Sequence, residues 1–239
     1  MRLSAASASA LGGRATNQDS CHADKRMLVI ADGVGGAPAG EIASALAVRT
    51  VVAARRGSPA EAVARANAAV RAHARTEPHT AGMATTLDVA ALVRRGARWW
   101  MVGAHVGDSV VLAQADTLLQ LTAAHTLGAE LVAAGHLTEE EGARHPQRAA
   151  LVRAVGMEDQ VRPDVWERPA IVGERYLLCT DGLTDALGAE RLAALLASLR
   201  SAEPARCVDA LVQAACEAGA KDNVTAVVAD VAGGVGWRN

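Results

Sequence analysis

The sequence predicts an α+β fold, with antiparallel sheet covered by helices. Three observations carry this reading. Short β-rich runs follow one another across tight glycine turns between residues 86 and 114. Two capping-box starts, Ser58-Pro59-Ala60-Glu61 and Thr138-Glu139-Glu140-Glu141, open helical stretches. Helices come in pairs between groups of strands, which argues against a doubly wound parallel sheet.

In chain order, the apolar run 27–31 reads as a strand that stops at Asp32 and the glycines Gly33, Gly35 and Gly36. Ile42, Leu46 and Val52 lie on one side of a helix that begins after Gly40 and ends near Gly57. Ser58 as N-cap, Pro59 in the first turn and Glu61 start a second helix, expected to reach about Arg75. Residues 86–93, 99–106 and 110–114 read as the strands of one β-meander, with turns at Arg95-Gly96 and Gly107-Asp108. A short strand is expected at 118–121. A helix over 126–134 closes at Gly135, and Thr138 caps the next. The run 176–180 reads as a buried strand ending in a turn at Asp181-Gly182. Two helices follow, around 190–199 with Leu192, Leu195, Leu196 and Leu199, and around 205–218, stopped by Gly219. The last strand, 224–231, is opened by Asp222-Asn223. The tail 233–239 is read as loose, with Trp237 as the residue that could dock.

Bulk properties bound the function. The 239 residues are 51% hydrophobic and 21% charged, which fits one globular domain over 1–239. With no Phe, the core must be close-packed Ala, Val and Leu. A formal net charge of −2 gives no drive toward nucleic acid or an acidic membrane. Arg94, Arg95 and Arg98 flank a hairpin turn and read as solvated. Cys21, Cys179, Cys207 and Cys216 form no C-x-x-C, and Cys179 sits in an apolar run, so a reducing compartment is expected. The N-terminus lacks a signal-peptide core, and no stretch reaches the ~20 apolar residues of a membrane span. A cytoplasmic protein is the expectation.

Chemistry enters with five aspartates in short polar settings: Asp19, Asp32, Asp108, Asp181 and Asp222. Asp32, Asp181 and Asp222 stand at the edges of expected core strands. If those edges point one way, three carboxylates converge and raise one another's pKa unless cations neutralise them. Oxygen ligands suit Mg²⁺, Mn²⁺ and Ca²⁺. Two such ions about 4 Å apart can acidify a shared water into a nucleophile without Ser, Cys or His. The glycines after Asp32 allow a main-chain carbonyl to serve as a ligand. Arg14, five residues before Asp19, has the group expected to hold a phosphate dianion. The residues therefore suggest metal-assisted hydrolysis of a phosphate ester. Taken singly, each has an ordinary reading: a turn for Asp181-Gly182, a strand-leading turn for Asp222-Asn223, a cap or turn for Asp19, a surface arginine for Arg14.

Six ordered segments resemble the metal-dependent serine/threonine phosphatases of the type 2C family in their compact bacterial form. They are Arg14-Ala15-Thr16-Asn17-Gln18-Asp19, Ala31-Asp32-Gly33-Val34-Gly35-Gly36, Gly82-Met83-Ala84-Thr85-Thr86, Val106-Gly107-Asp108-Ser109, Leu178-Cys179-Thr180-Asp181-Gly182-Leu183-Thr184-Asp185 and Asp222-Asn223-Val224-Thr225. The match spans about residues 12–231. The resemblance implies a four-layer α-β-β-α sandwich of two antiparallel sheets flanked by helix pairs. It implies two Mn²⁺ or Mg²⁺ ions, bridged by Asp32, with the Gly33 carbonyl on one and Asp181 and Asp222 on the other. Asp19 would act through water, Arg14 would bind the phosphate, and Asn223 would orient its neighbours. Asp108, with Asp181, would complete a third, weaker metal site. The implied reaction is hydrolysis of phosphoserine and phosphothreonine in proteins by a dimetal-activated water, reversing bacterial kinase signalling. The implied partners are phosphoproteins and a cognate kinase or its targets, acted on by a monomer.

Three positions depart from the family pattern. Val34 stands where many eukaryotic relatives have a histidine proposed as general acid. Val110 replaces the arginine of V-G-D-S-R, and Leu121-Thr122-Ala123-Ala124-His125 lacks the aspartate of L-T-x-D-H. His125 is as well explained by packing at a helix start as by catalysis. Residues 135–153 match the family's flap beside the cleft. Asp159 and Asp164 are further carboxylates near it, neither favoured as a ligand. A catalytically inactive phosphatase-like binding module is the alternative, disfavoured because Asp32, Asp181, Asp222 and Arg14 are all present. A switch phosphatase acting on an anti-anti-sigma-type partner is disfavoured by the lack of length for a sensor.

Overall fold

The computed structural model describes residues 1–35, 37, 39–54 and 57–233. Gly36 and Trp237, both singled out above, lie outside the described residues, as does the tail from 234. The described elements run β1 (Arg2–Ala10), β2 (Asp19–Ala23), β3 (Met27–Asp32), α1 (Gly40–Ala53), α2 (Pro59–Thr76), β4 (Leu87–Arg95), β5 (Arg98–Val106), β6 (Val110–Gln114), β7 (Leu118–Gln120), α3 (Leu127–Ala133), α4 (Glu139–Arg144), β8 (Asp164–Pro169), β9 (Arg175–Cys179), α5 (Asp181–Ser198), α6 (Pro204–Glu217) and β10 (Val224–Ala232).

The strands form two antiparallel five-stranded sheets, ordered β1-β10-β9-β6-β7 and β2-β3-β4-β5-β8. Period-2 alternation assigns each face. Val224, Ala226 and Val228 of β10 pack with Leu183, Leu187, Leu192 and Leu211 of α5 and α6. Val227, Ala229 and Val231, one residue out of step, face the other sheet's Leu28, Ile30, Leu92 and Met101. Val29 and Ala31 of β3 and Val89 of β4 face Ala43, Ala47, Val63 and Val70 of α1 and α2. Three cores between four layers give the α-β-β-α sandwich. Strands buried on both faces read as unbroken apolar runs, which is why 27–31, 176–180 and 224–231 stood out. The small-residue core also leaves room for Trp166, whose ring occupies the space where a Cβ on Gly103 would sit.

Both capping boxes are present: the Ser58 and Thr138 side chains accept from the N–H of Glu61 and Glu141, whose carboxylates return the bond. Gly96 closes the β4–β5 hairpin at φ 60°, and Gly219 ends α6 at φ 80°. The four cysteines are free, with Cys179 fully buried.

Several expectations need correction. The strands β4, β5 and β6 are not one meander. Val106 pairs with Leu87 in one sheet, whereas Val110 pairs with Cys179 in the other. Gly107, at φ 116°, turns the chain from sheet to sheet, and Thr86 fills the place of its missing Cβ. Alternation identifies a strand but not the sheet it joins. Asp181 is not in a turn before a later helix; it is the first residue of α5, which has a kink at Gly188, φ 69°. Leu183 and Leu187 bury that first stretch, too short to show periodicity. Asp19 is neither cap nor turn, but opens β2 opposite Asp32. Strands β1, β2 and β8 were not anticipated. The Ala/Ser-rich β1 has little β-propensity and is held by nine register partners along β10.

Candidate metal centre

Antiparallel pairing places every candidate at one end of the sandwich. Ala10 pairs with Val224, so the loop bearing Arg14 meets the start of β10 with Asp222. Cys179 pairs with both Ala226 and Val110, which brings Asp181 beside Asp222 and Asp108. Asp19 pairs with Asp32 across β2 and β3. A cleft of about 200 Å³ opens there, lined by Arg14, Gln18, Asp32, Gly33, Val34, Thr86, Asp108, Asp181, Asp222 and residues 149–151. Asp19 does not line it and stands behind Asp32.

Hydrogen bonds hold the Asp32 backbone and the Asp19 and Asp222 carboxylates. The Asp32 N–H donates to Thr86 Oγ1 at 2.9 Å, and its carbonyl accepts from Thr85 Oγ1 at 2.7 Å and the Thr86 N–H at 2.8 Å. Thr180 Oγ1 donates to Asp19 Oδ2 at 3.0 Å. The Asn223 N–H donates to Asp222 Oδ1 at 2.8 Å. Asn223 Oδ1 accepts from the Gln18 N–H at 2.8 Å, while Nδ2 donates to the carbonyls of Leu11 and Thr16 at 3.0 and 2.9 Å. That amide thus sews the loop bearing Arg14 to the start of β10. Backbones approach closely where glycines occur. A Cβ on Gly33 would lie 2.4 Å from the Gly40 carbonyl carbon, and one on Gly182 would lie 2.1 Å from the Asn223 oxygen. Arg14 Nη2 donates to Asp222 Oδ2 at 2.5 Å, with both side chains partly exposed.

The acids are short of positive charge. Burial, then repulsion from Asp19 and Asp181, holds the Asp32 carboxyl well above the usual carboxylate range. Burial, then Asp108, Asp185 and Asp222, pushes Asp181 up to about 7. Burial raises Asp108 to about 6, with Asp185 and Asp88 adding to it. Burial also raises Asp19, against hydrogen bonds from Thr225 and Thr180. Asp181 gains from the α5 N-terminus, yet repulsion and burial prevail. Asp19 Oδ1 and Asp181 Oδ1 are buried with no hydrogen-bond partner. Orphaned buried carboxylate oxygens, one on Asp181 at the cleft and one on Asp19 outside its lining, beside a guanidinium that faces several acids, fit a hard divalent cation. Among the described residues, no three His, Cys, Asp or Glu side chains form a closed cage. A cation here would therefore complete its shell with backbone carbonyls and water, the habit of Mg²⁺.

Some residues were missed by sequence reasoning. Thr85, Thr86 and Thr180 clamp Asp32 and Asp19, and Asp185 adds charge beside Asp181 and Asp108. Their only sequence signal was membership of the quoted segments. Asp159 pairs with Arg71 and Asp164 with Arg153, and neither lines the cleft. Val34 does line it and offers no proton.

Comparison with known proteins identifies the family and the fold. The family model described as protein phosphatase 2C matches residues 8–224. The serine/threonine protein phosphatase PstP of Mycobacterium tuberculosis is 39% identical over 227 residues, which is 91% of this chain but 43% of that protein. The chain thus spans less than half the length of that relative. The serine/threonine phosphatase stp of Listeria welshimeri is 33% identical, covering 92% of this chain and 88% of its own. The crystal structure of the Mycobacterium tuberculosis phosphatase PstP/Ppp superposes with a TM-score of 0.86 at 36% identity, over 98% of this chain and 100% of that one. The catalytic domain of PstP in complex with two manganese ions gives 0.84 at 35% identity, over 97% and 99%. By sequence, fold and the order of its acidic segments, this chain belongs to the protein phosphatase 2C family.

Proposed function

We propose that this chain is a protein serine/threonine phosphatase that hydrolyses phosphoserine and phosphothreonine in proteins with two Mn²⁺ or Mg²⁺ ions. The observation that carries the reading is the gathering of Asp32, Asp108, Asp181 and Asp222 around one cleft, with the orphaned Asp181 Oδ1 and Arg14 at its side. Asp32 and the Gly33 carbonyl, with Asp181 and Asp222, would hold the two ions. Asp19 would act through water, and Asp108 with Asp181 would serve a third, weaker site. Ions so held polarise a phosphoryl oxygen and lower the pKa of water.

The chain's own groups do the rest. Arg14 presents a partly exposed guanidinium suited to two phosphate oxygens. It shares Asp222 with the metal side, so phosphate and cation are brought together by one carboxylate. Asn223 fixes both through the loop it ties down. The leaving alkoxide takes its proton from solvent, since Val34 has none to give. Residues 1–239 are read as one catalytic domain acting as a monomer on phosphoproteins of a bacterial kinase pathway. No described helix is long and apolar enough to cross a membrane.

The test is Mn²⁺-dependent hydrolysis of p-nitrophenyl phosphate by the wild type, Asp32→Ala and Asp181→Ala. The wild type turns over, both variants lose activity, and EDTA abolishes it. A wild type silent with Mn²⁺ and Mg²⁺ would leave an inactive binding module, and activity that survives EDTA would refute the metal mechanism. Arg14→Ala should lower kcat/KM for a phosphopeptide about 10- to 100-fold, the range for one charge-assisted contact; unchanged kinetics would remove its role.

A further inference from the structure

His125 closes on the Gly107 peptide from both sides. Its N–H donates to the Gly107 carbonyl at 2.7 Å, and its Nδ1 accepts from the Gly107 N–H at 3.0 Å. Gly107 precedes Asp108 in the turn between β5 and β6. The His125 carbonyl accepts from the Val152 N–H at 3.0 Å, and the Leu127 N–H donates to the Ala150 carbonyl at 2.8 Å. Ala150 and Leu151 are cleft wall. His125, 3% exposed, therefore joins the Asp108 turn to Val152, the neighbour of that wall, and Leu127 two residues on bonds the wall itself.

Two donors face the ring, the Gly107 N–H at Nδ1 and Arg153 Nη1 at Nε2, and a neutral ring can accept from only one of them. The Asp164 carboxylate beside Nε2 favours the hydrogen there, which leaves Nδ1 to accept from Gly107 and makes the Arg153 approach a contact between two donors. Nε2 lies 3.2 Å from Asp164 Oδ2, its acceptor. Arg153 Nη1, 2.9 Å from Nε2, donates to Asp164 Oδ1 at 2.7 Å, so two N–H groups share one carboxylate. Behind His125 the ring of His105 packs at 4.6 Å between centroids. His105 Nε2 must donate to the Ala123 carbonyl at 2.9 Å, so one proton also lies between Nδ1 and Asp88 Oδ1 at 2.9 Å. His105 is pinned at both nitrogens, and Asp88 is its register partner across β4 and β5. His125 thus rests against a ring that cannot turn.

We propose that His125 is a positioning residue that locks the Gly107–Asp108 turn and the segment 149–152, whose residues 149–151 are cleft wall, into one arrangement, through Nδ1 toward the turn and Nε2 toward Asp164. The two nitrogens have separable duties. The inference rests on the phosphatase reading only where activity is measured.

His125→Asn and His125→Gln separate the duties, because an Asn amide oxygen falls near the place of Nδ1 and a Gln amide nitrogen near that of Nε2. Asp164→Asn, at a half-exposed site, removes the charge opposite Nε2 and serves if either histidine variant fails to fold. Deuterium exchange of the Gly107 amide in metal-free protein should quicken about tenfold in His125→Gln and stay within about twofold in His125→Asn and Asp164→Asn. With Mn²⁺, His125→Gln should bind the ion more weakly and lose kcat on p-nitrophenyl phosphate. His125→Asn and Asp164→Asn should keep that kcat and raise KM for a phosphopeptide roughly three- to tenfold. Equal Gly107 exchange in all proteins, or a parallel loss of kcat and KM in every variant, would overturn the proposal. A wild type inactive with Mn²⁺ and Mg²⁺ would refute the phosphatase reading instead, and Gly107 exchange would still decide the duty of Nδ1.

Discussion

Replacing Gly33 with alanine adds one methyl group where two backbones touch. The new Cβ would lie 2.4, 2.5 and 2.7 Å from the carbonyl carbon, oxygen and Cα of Gly40, the first residue of α1. These are main-chain atoms and cannot rotate aside. The Gly33 backbone is itself tied, its N–H donating to the Gln18 carbonyl at 3.1 Å and its strand bridging to Thr85. Overpacking of this kind costs about 1–3 kcal/mol. For a chain of this size that is a fall in Tm of about 2–12 °C. Because the shift moves a proposed carbonyl ligand, the Mn²⁺ concentration for half-maximal activity should also rise. Gly35→Ala is the internal control: its Cβ would meet Arg14 Nη2 at 3.6 Å and Nη1 at 4.0 Å, both ordinary contacts. Thermal melts with and without Mn²⁺, and Mn²⁺ titrations, would be run on both variants. If Gly33→Ala melts with the wild type and titrates with Mn²⁺ identically, the close-approach argument is wrong. If Gly35→Ala is the more damaged, the geometry of this turn has been misread.

Two further outcomes follow from the charges. Asp32, Asp108 and Asp181 hold their protons more tightly folded than unfolded, with Asp108 at about 6 and Asp181 at about 7. Their contribution therefore favours folding below the unfolded value of ~4 and is lost as pH rises through about 6 to 7. EDTA-treated protein should melt higher at about pH 5 than at about pH 8, and saturating Mn²⁺ should remove most of that difference; a flat profile in EDTA would contradict the crowding of these acids. Far from the cleft, Arg175 is 1% exposed and donates to Asp230, to the Leu199 carbonyl at 2.7 Å and to the Ala202 carbonyl at 2.5 Å. Arg175→Leu should cost about 3 kcal/mol, since Asp230 is only partly buried, and leave Mn²⁺ titration unchanged; an unaltered Tm would show that those carbonyls find other donors.

Much of the site was legible because Asp32, Asp181 and Asp222 each lie at an end of a strongly buried strand. The runs before Asp32 and Asp181 and after Asp222 announce themselves by composition. The strand setting of Asp19 was not legible because β2, with Ser20, Cys21 and His22 all half-buried, has no apolar signature. The threonine clamps were invisible, since Thr85 and Thr180 act on residues 53 and 161 positions away. His125 was left between packing and chemistry because its partners, Gly107, Val152 and Asp164, lie on three other segments.

The sequence by itself determined the parts: strands that stop at carboxylates, glycines where backbones must touch, capped helices, one guanidinium near the first acid, and a composition without drive toward nucleic acid. Tertiary structure decided which ends of the strands meet. Ala10 lies beside Val224, and Cys179 beside both Val110 and Ala226. Those pairings depend on sheet order and on the switch of sheets at Gly107. Both are set by contacts between residues far apart in the chain, and local propensity and periodicity carry no record of such contacts.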